Sequence, residues 1–514
     1  MRAKSILGGA LILTAAGLIT RVLGFGYRIF MSNAMGAEGM GLYQLVLPIY
    51  GLGWSIACSG FTTTISKLTA QENAKEGHGN IRVMLAQAIA VTAGIGLAFA
   101  LALYFGADII ANNFLKDPRT ALSLRILAPC FPFMAVGSCM RGYFFGMQRT
   151  LVPALNQVFE QTVRMAVVFC LAGFMIPMGL EYACAAATIG VVVEEISSLG
   201  FILLAFKFNK VSALLKKAQT IQSSRVFIMI MTMALPLTGN RVAGSLLSTL
   251  ENALMPQRLQ LYGMTGMTAH AAMSMYGRIM GMAMPLIFFP SAFLVSLSIS
   301  LVPAVSEAAS RSSYSRVRYA VERSMLFCAV IGFCAAAVFV TFNKELGQVV
   351  YHQDLSQYLL WFGLMCPLMY MNVVLSGVLN GLGYQMFIFR NSLLSSTISI
   401  AFIYFLVPVS GITAFITGWF FSLVVVCWLE LDKLNRNGYL SFDVVRWLLK
   451  PLLCAVFAGV MMTFLLGRGW LEVFGQAWEL LFGLCITGAL YIGAIFLTRC
   501  LTYEDIAHLF KFRK

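Results

Sequence analysis

The feature that most constrains this chain is a near-unbroken succession of apolar runs, each about 20 residues long, with only short polar stretches between them. A helix of that length spans the ~30 Å hydrocarbon core of a bilayer. Fourteen such runs cover 7–32, 42–66, 83–104, 121–147, 152–176, 182–206, 226–251, 270–303, 321–343, 357–383, 390–409, 411–432, 449–467 and 478–498. They are continuously apolar instead of alternating, which predicts helices and not a barrel. With 59% hydrophobic and 11% charged residues over 514 positions, the chain cannot be a soluble enzyme, a disordered chain, a disulfide scaffold or a single-span receptor. The expected fold class is all-α, a polytopic membrane protein with 14 transmembrane helices. The first run carries arginines and no small-residue cleavage site follows it, so it reads as a retained helix.

The net charge of +15 would suggest nucleic acid in a soluble protein. Here it sorts by side. With a cytoplasmic N-terminus, 24 lysines and arginines fall in inner loops and 5 in outer ones. That asymmetry predicts both termini cytoplasmic and no nucleic-acid partner. The twelve cysteines form no Cys-x-x-Cys pair and the four histidines are scattered, so no metal site is expected. No Gly-x-x-x-x-Gly-Lys-Ser/Thr loop and no nucleophile–base pair stands out, so neither an enzyme nor a bound cofactor is expected.

An internal duplication is visible. Pro132 is followed at offsets of ten and fourteen by Gly142 and Gly146, and Pro367 at the same offsets by Gly377 and Gly381. The shift is 235 residues, or six spans; an even number of spans preserves orientation. This predicts two six-helix lobes in a parallel pseudo-twofold repeat plus two C-terminal helices. The expected domains are 1–225, 226–440, and 441–514 with the extra helices and a cytoplasmic tail. A cleft between the lobes is where such transporters place substrate.

Seven arginines lie within spans, where each costs roughly 2.5–3.5 kcal/mol to insert. Arg21 is mid-span, and Arg28, seven residues on, shares its helix face. Arg241 stands beside Asn240 in the seventh span and Arg278 lies in the eighth. Guanidinium forks suit phosphate and carboxylate oxygens. These residues are therefore the expected substrate contacts, and an anionic head group the expected ligand. Near span ends, Arg28, Arg125 and Arg141 could instead snorkel to the interface. Glu160 and Arg164 are four apart on the fifth span and are expected to form an internal ion pair. Glu194 and Glu195 in the sixth span, and Glu251 in the seventh, are candidates for a coupling ion, with oxygens from Asn372 and Asn380 also available.

Several stretches resemble a known family. The run Thr20-Arg21-Val22-Leu23-Gly24-Phe25 is similar to the opening of lipid II flippases. The segment from Gly36 to Gln44, Ser66-Lys67, Glu160-Gln161 with Arg164, and 281–286 with 300–308 resemble the stage V sporulation protein B and polysaccharide exporter family. The resemblance implies the multidrug/oligosaccharidyl-lipid/polysaccharide exporter superfamily, with alternating access between two lobes. It implies a bacterial plasma-membrane flippase for an undecaprenyl-linked saccharide, either lipid II or a related cell-wall unit. Arg21 and Arg278 match arginines held essential in the peptidoglycan flippases. Membrane lipids and cell-wall synthesis proteins would be partners, a proton, sodium or the membrane potential would drive transport, and spans 13 and 14 would hold the lipid tail. The sequence departs from those flippases in two places: no arginine stands near Leu52 and Gly53, and Gly277 in place of an acid precedes Arg278. Two other readings stay open, a cation-coupled multidrug exporter and a non-transporting membrane scaffold for cell-wall synthesis.

Overall fold

The computed structural model describes residues 2–74, 80–208, 223–263, 266–311, 313–440, 443–468 and 475–501. Among the described residues the regular structure is helical, with no strand. Backbone hydrogen bonds are thereby closed within each segment, as a bilayer requires. Among the described residues, eleven helices are long and apolar enough to cross a membrane, or thirteen if each of two bent pairs counts as one span. The chain is a multi-pass membrane protein.

The molecule divides into two compact units, Met1–Gly277 and Arg278–Lys514. In the first, α1 (Arg2–Ala57) breaks at Gly36, whose φ of 70° is open to glycine at little cost. The apolar stretch Ile12–Asn73 through that break is 62 residues long. At 1.5 Å per residue it is far longer than one crossing needs. Then follow α2 (Ser59–Asn73), α3 (Asn80–Ile109), α4 (Ala121–Leu127), α5 (Cys130–Gly146), α6 (Leu151–Met175), α7 (Leu180–Phe208), α8 (Ser223–Leu259) and α9 (Ala269–Tyr276). A core of Phe61, Ile65, Met84, Tyr143, Phe144 and Ile230 joins α2, α3, α5 and α8. Thus the seventh-span helix α8 packs within this unit, on α1, α2 and α3. The lobe boundary is expected at 225/226 from the repeat, whereas compactness divides the chain after Gly277.

The second unit begins at Arg278, within the π-helical stretch Gly277–Ala283. It continues with α10 (Met284–Phe288), α11 (Ser291–Ser310), α12 (Tyr314–Thr341), α13 (Asn343–Tyr351), α14 (Ser356–Gly381), α15 (Gln385–Phe405), α16 (Ile412–Arg436), α17 (Lys450–Leu466) and α18 (Gln476–Leu497). Helix α14 packs on α11, α12 and α16, and α17 packs on α12 and α18.

The duplication seen in the sequence is a duplication of contacts. In the first unit a Cβ on Gly142 would stand 2.7 Å from the Thr62 carbonyl oxygen, and one on Gly146 2.6 Å from that of Ser66. In the second, Gly377 meets Ser298, and a Cβ on Gly381 would stand 2.9 Å from the Val302 carbonyl oxygen. Likewise Gly96 abuts Pro132 and Gly332 abuts Pro367. Small residues at these crossings let helix backbones approach closely, the main source of packing energy between helices in lipid.

Candidate functional site

The in-span arginines fall into two sets. Three have carboxylate partners. Arg125 pairs with Asp108, Arg141 donates to Glu160 Oε1 at 2.9 Å, and Arg164 grips Glu194 through both Nε and Nη2. The other four are Arg21, Arg28, Arg241 and Arg278. None of these has a carboxylate within ion-pair distance among the described residues. Arg21 and Arg241 are exposed, the latter with its guanidinium 5.8 Å from the Trp54 ring centroid. Arg28 is half-buried on α1. Asn240 and Glu251, both on α8, are also half-buried. Arg278 buries an Nε that no acceptor meets among the described residues. It sits in a π-turn, a geometry that recurs at functional positions.

The paired set corrects two expectations. Glu160 and Arg164 do not pair with each other. Glu160 Oε1 accepts from Arg141 on α5, from Asn156 Nδ2 at 2.6 Å, and from the Ser198 hydroxyl on α7, while Arg164 turns to Glu194 on α7. Partners on adjoining helices satisfy these groups more fully than a single intrahelical contact between long side chains. Arg141 does not snorkel but enters the interior. Glu194 and Glu195 diverge as adjacent helical residues must: Glu194 meets Arg164, and Glu195 Oε1 accepts from the Tyr50 hydroxyl at 2.6 Å. The interior of the first unit thus holds Glu160, Glu194 and Glu195 against Arg141 and Arg164.

The same shift of 235 residues carries Glu195 on α7 to Glu430 on α16, Asn156 to Asn391, Arg141 to Ser376, Glu160 to Ser395 and Arg164 to Ser399. The second unit keeps the acid and the amide but has serine at all three other positions. The result is a cavity of about 300 Å³ lined by Asn372, Ser376, Asn391, Ser395, Trp419 and Glu430, among others. Glu430 is 1% exposed, and accepts from the Ser376 hydroxyl at 3.2 Å and from Asn372 Nδ2 at 3.4 Å. Sequence reasoning missed Glu430; applying the visible repeat to Glu195 would have found it.

A second cluster lies where α1 resumes after Gly36. Arg119 donates to Glu38 at 2.6 Å and to Asp117 at 2.7 Å, and His270 contacts Glu38. Beside it, a Cβ on Gly277 would come 1.8 Å from the Ala37 carbonyl oxygen, and one on Gly41 2.4 Å from that of Met273. An acid at 277, as the flippase pattern has it, would not fit this packing.

Comparison with known proteins places the fold. A family model described as polysaccharide biosynthesis protein matches residues 6–309, and a second, MatE, matches 259–405. Stage V sporulation protein B of Bacillus subtilis (strain 168) is 32% identical over 460 residues, 87% of either chain. The lipid II flippase MurJ of the same organism is 23% identical over 411 residues, 75% of this chain and 74% of that one. Among solved structures, a lipid II flippase MurJ in an inward closed conformation superposes with a TM-score of 0.71 at 14% identity, covering 97% of this chain and all of that one. An inward-facing multidrug resistance MATE transporter gives 0.67 at 10% identity, covering 84% and 98%. Those relatives with a stated activity are flippases and transporters, not enzymes. By the family match over more than half its length and the 32% relative along most of it, this chain belongs to the polysaccharide biosynthesis protein family.

Proposed function

We propose that this protein is a flippase that moves an undecaprenyl-linked saccharide across the bacterial plasma membrane by alternating access, with both termini cytoplasmic. The observation that carries this reading is the division of the in-span arginines. Among the described residues Arg21, Arg28, Arg241 and Arg278 have no carboxylate within ion-pair distance, and a guanidinium without an ion pair in a membrane helix is retained at a cost that a bound anion offsets. A pyrophosphate-linked sugar supplies that anion, and Arg21 and Arg278, with Asn240 nearby in sequence to Arg241, are its contacts. Sequence identity to stage V sporulation protein B and to a lipid II flippase supports the substrate class. The peptidoglycan precursor and a related wall polysaccharide unit are both members of it.

Coupling follows from charge counting. In the cluster on α5, α6 and α7 three carboxylates, Glu160, Glu194 and Glu195, accompany two guanidiniums, Arg141 and Arg164. Glu194 and Glu160 each have an arginine, so Glu195, held by a phenol, is the carboxylate left to take up a coupling proton. Glu251 is a secondary candidate.

Reconstitution into liposomes tests both points. Labelled undecaprenyl-linked saccharide is expected to cross with the native protein and not with Arg21→Ala or Arg278→Ala, at equal protein levels. Full activity in both variants overturns the assignment, and unchanged pH dependence in Glu195→Gln overturns the coupling role. The fold shared with a multidrug resistance MATE family transporter, beside the MatE match over 259–405, supports a drug exporter as the second reading. Drug tolerance unchanged on overexpression dismisses that reading.

A further inference from the structure

The cavity of the second unit holds a buried carboxyl group that no cationic side chain meets among the described residues. Glu430 is buried, and among the described residues its hydrogen-bond partners are neutral, a serine hydroxyl and an asparagine amide. A carboxylate desolvated in this way costs several kcal/mol unless it is paired or protonated. Asn391, 5% exposed, lines the same space, and its Nδ2 meets no acceptor. Two independent groups are therefore incompletely satisfied among the described residues: a carboxyl group with hydrogen-bond donors but no cationic side chain, and an amide donor with no acceptor.

The first unit shows what fills such a space. There the position equivalent to Ser376 is Arg141, whose guanidinium lies in the interior beside Glu160 and within electrostatic reach of Glu195. In the second unit serine replaces that arginine at the equivalent position, and a cavity of about 300 Å³ takes its place. A bare monovalent ion is much smaller than this, whereas ligand pockets of small organic molecules begin at about 300 Å³. The lining suits such a guest: Trp419 offers an aromatic face to a cation, and serine hydroxyls can both donate and accept. At about 1.5 Å per residue, Ser376 and Glu430 lie within two turns of the α14 and α16 C-terminal ends, so the cavity is within reach of one membrane surface.

We infer that the cavity bounded by α14, α15 and α16 is a binding site for a small organic cation, an amine or guanidinium group on a polar body, with Glu430 as its counter-charge and Asn391 and Trp419 as its further contacts. The guest stands where the first unit has its own Arg141. The site lies inside one unit and is independent of the anion contacts assigned to Arg21 and Arg278.

The test uses the full-length protein in detergent, with methylguanidinium and ethylammonium chlorides as probes and sodium and potassium chlorides at equal ionic strength as comparators. Calorimetric titration is expected to show saturable binding of methylguanidinium in the native protein. Glu430→Gln, which keeps the cavity and removes the charge, should weaken it by about tenfold to a hundredfold. Ser376→Arg supplies a tethered guanidinium and should abolish it while raising the thermal midpoint of the unliganded protein. If Glu430→Gln does not fold, the Ser376→Arg result decides alone. Absence of saturable binding by either organic probe overturns the proposal. So does binding that survives in Ser376→Arg, or saturation by sodium or potassium that makes the protein indifferent to the organic probes.

Discussion

Two interiors built on one plan differ in what neutralises their acid. In the first unit Arg141 and Arg164 thread between helices and bind Glu160 and Glu194, which leaves Glu195 with the Tyr50 hydroxyl. In the second, serines stand at the corresponding positions, Glu430 is left with neutral donors, and the space is open. The glycine crossings did not diverge: Gly142 and Gly146 sit against Thr62 and Ser66 of α2, and Gly377 and Gly381 against Ser298 and Val302 of α11. Duplication preserved the packing and changed the charge. This separation is physically reasonable, since a glycine crossing tolerates no added atom, while a polar interior can trade a tethered guanidinium for a guest or a proton.

The comparison can be broken at several points. The largest effect is expected for Arg164→Met, which leaves Glu194 buried and unpaired. Loss of one partner of a buried pair costs about 3–5 kcal/mol. The double variant Arg164→Met/Glu194→Leu should recover most of it, and a thermal-stability series in detergent reads both. If the single and double variants are equally unstable, the pair is not what neutralises the first unit.

Arg141→Ser gives the first unit the residue of the second. It removes one charged donor from Glu160 but leaves Asn156 and Ser198, so a cost of about 1.5–3 kcal/mol is expected. Methylguanidinium should then restore stability to this variant, as a chemical rescue. A variant that loses stability and is not rescued would deny that a free cation can replace the side chain.

Next come the crossings. Gly142→Leu and Gly381→Leu each push a side chain into a facing backbone carbonyl, at distances of 2.7 and 2.9 Å for the first carbon. Overpacking costs typically about 1–3 kcal/mol. Similar losses in the two variants would support equivalent packing, and a large disparity would show that only one crossing bears weight.

The smallest effect lies outside the membrane-spanning helices. The Ser356 hydroxyl and backbone N–H both donate to Asp354, with Arg278 and Lys344 adding to the field, and hold its carboxyl below the usual range. A depressed folded value means stability present above the ordinary carboxylate value and lost as pH falls through the lowered one. Because the group is exposed, screening keeps the contribution to roughly 0.5 kcal/mol. Thermal midpoints of the native protein and Asp354→Asn should differ slightly at neutral pH and converge in acid.

Much of this molecule was legible in its residues. Apolar run length dictated membrane helices because hydrocarbon leaves backbone groups no partner but each other. The Pro-Gly-Gly spacing announced the repeat because close helix crossings accept only small side chains. Of the seven arginines singled out for their insertion cost, Arg21, Arg28, Arg241 and Arg278 have no carboxylate within ion-pair distance among the described residues. Their role toward an anion is a matter for the variants above.

Partner choice was not legible. The spacing of Glu160 and Arg164 permitted an internal pair, yet both turned to other helices. Gly277 read as a departure from a motif, and only its contact with the backbone of Ala37 explains it. The cavity beside Glu430 needed the packing of α14, α15 and α16 to exist at all. Local spacing determines which groups share a face. Only tertiary packing decides what that face meets, because ion pairs and cavities in a helical bundle are made between segments far apart in the chain.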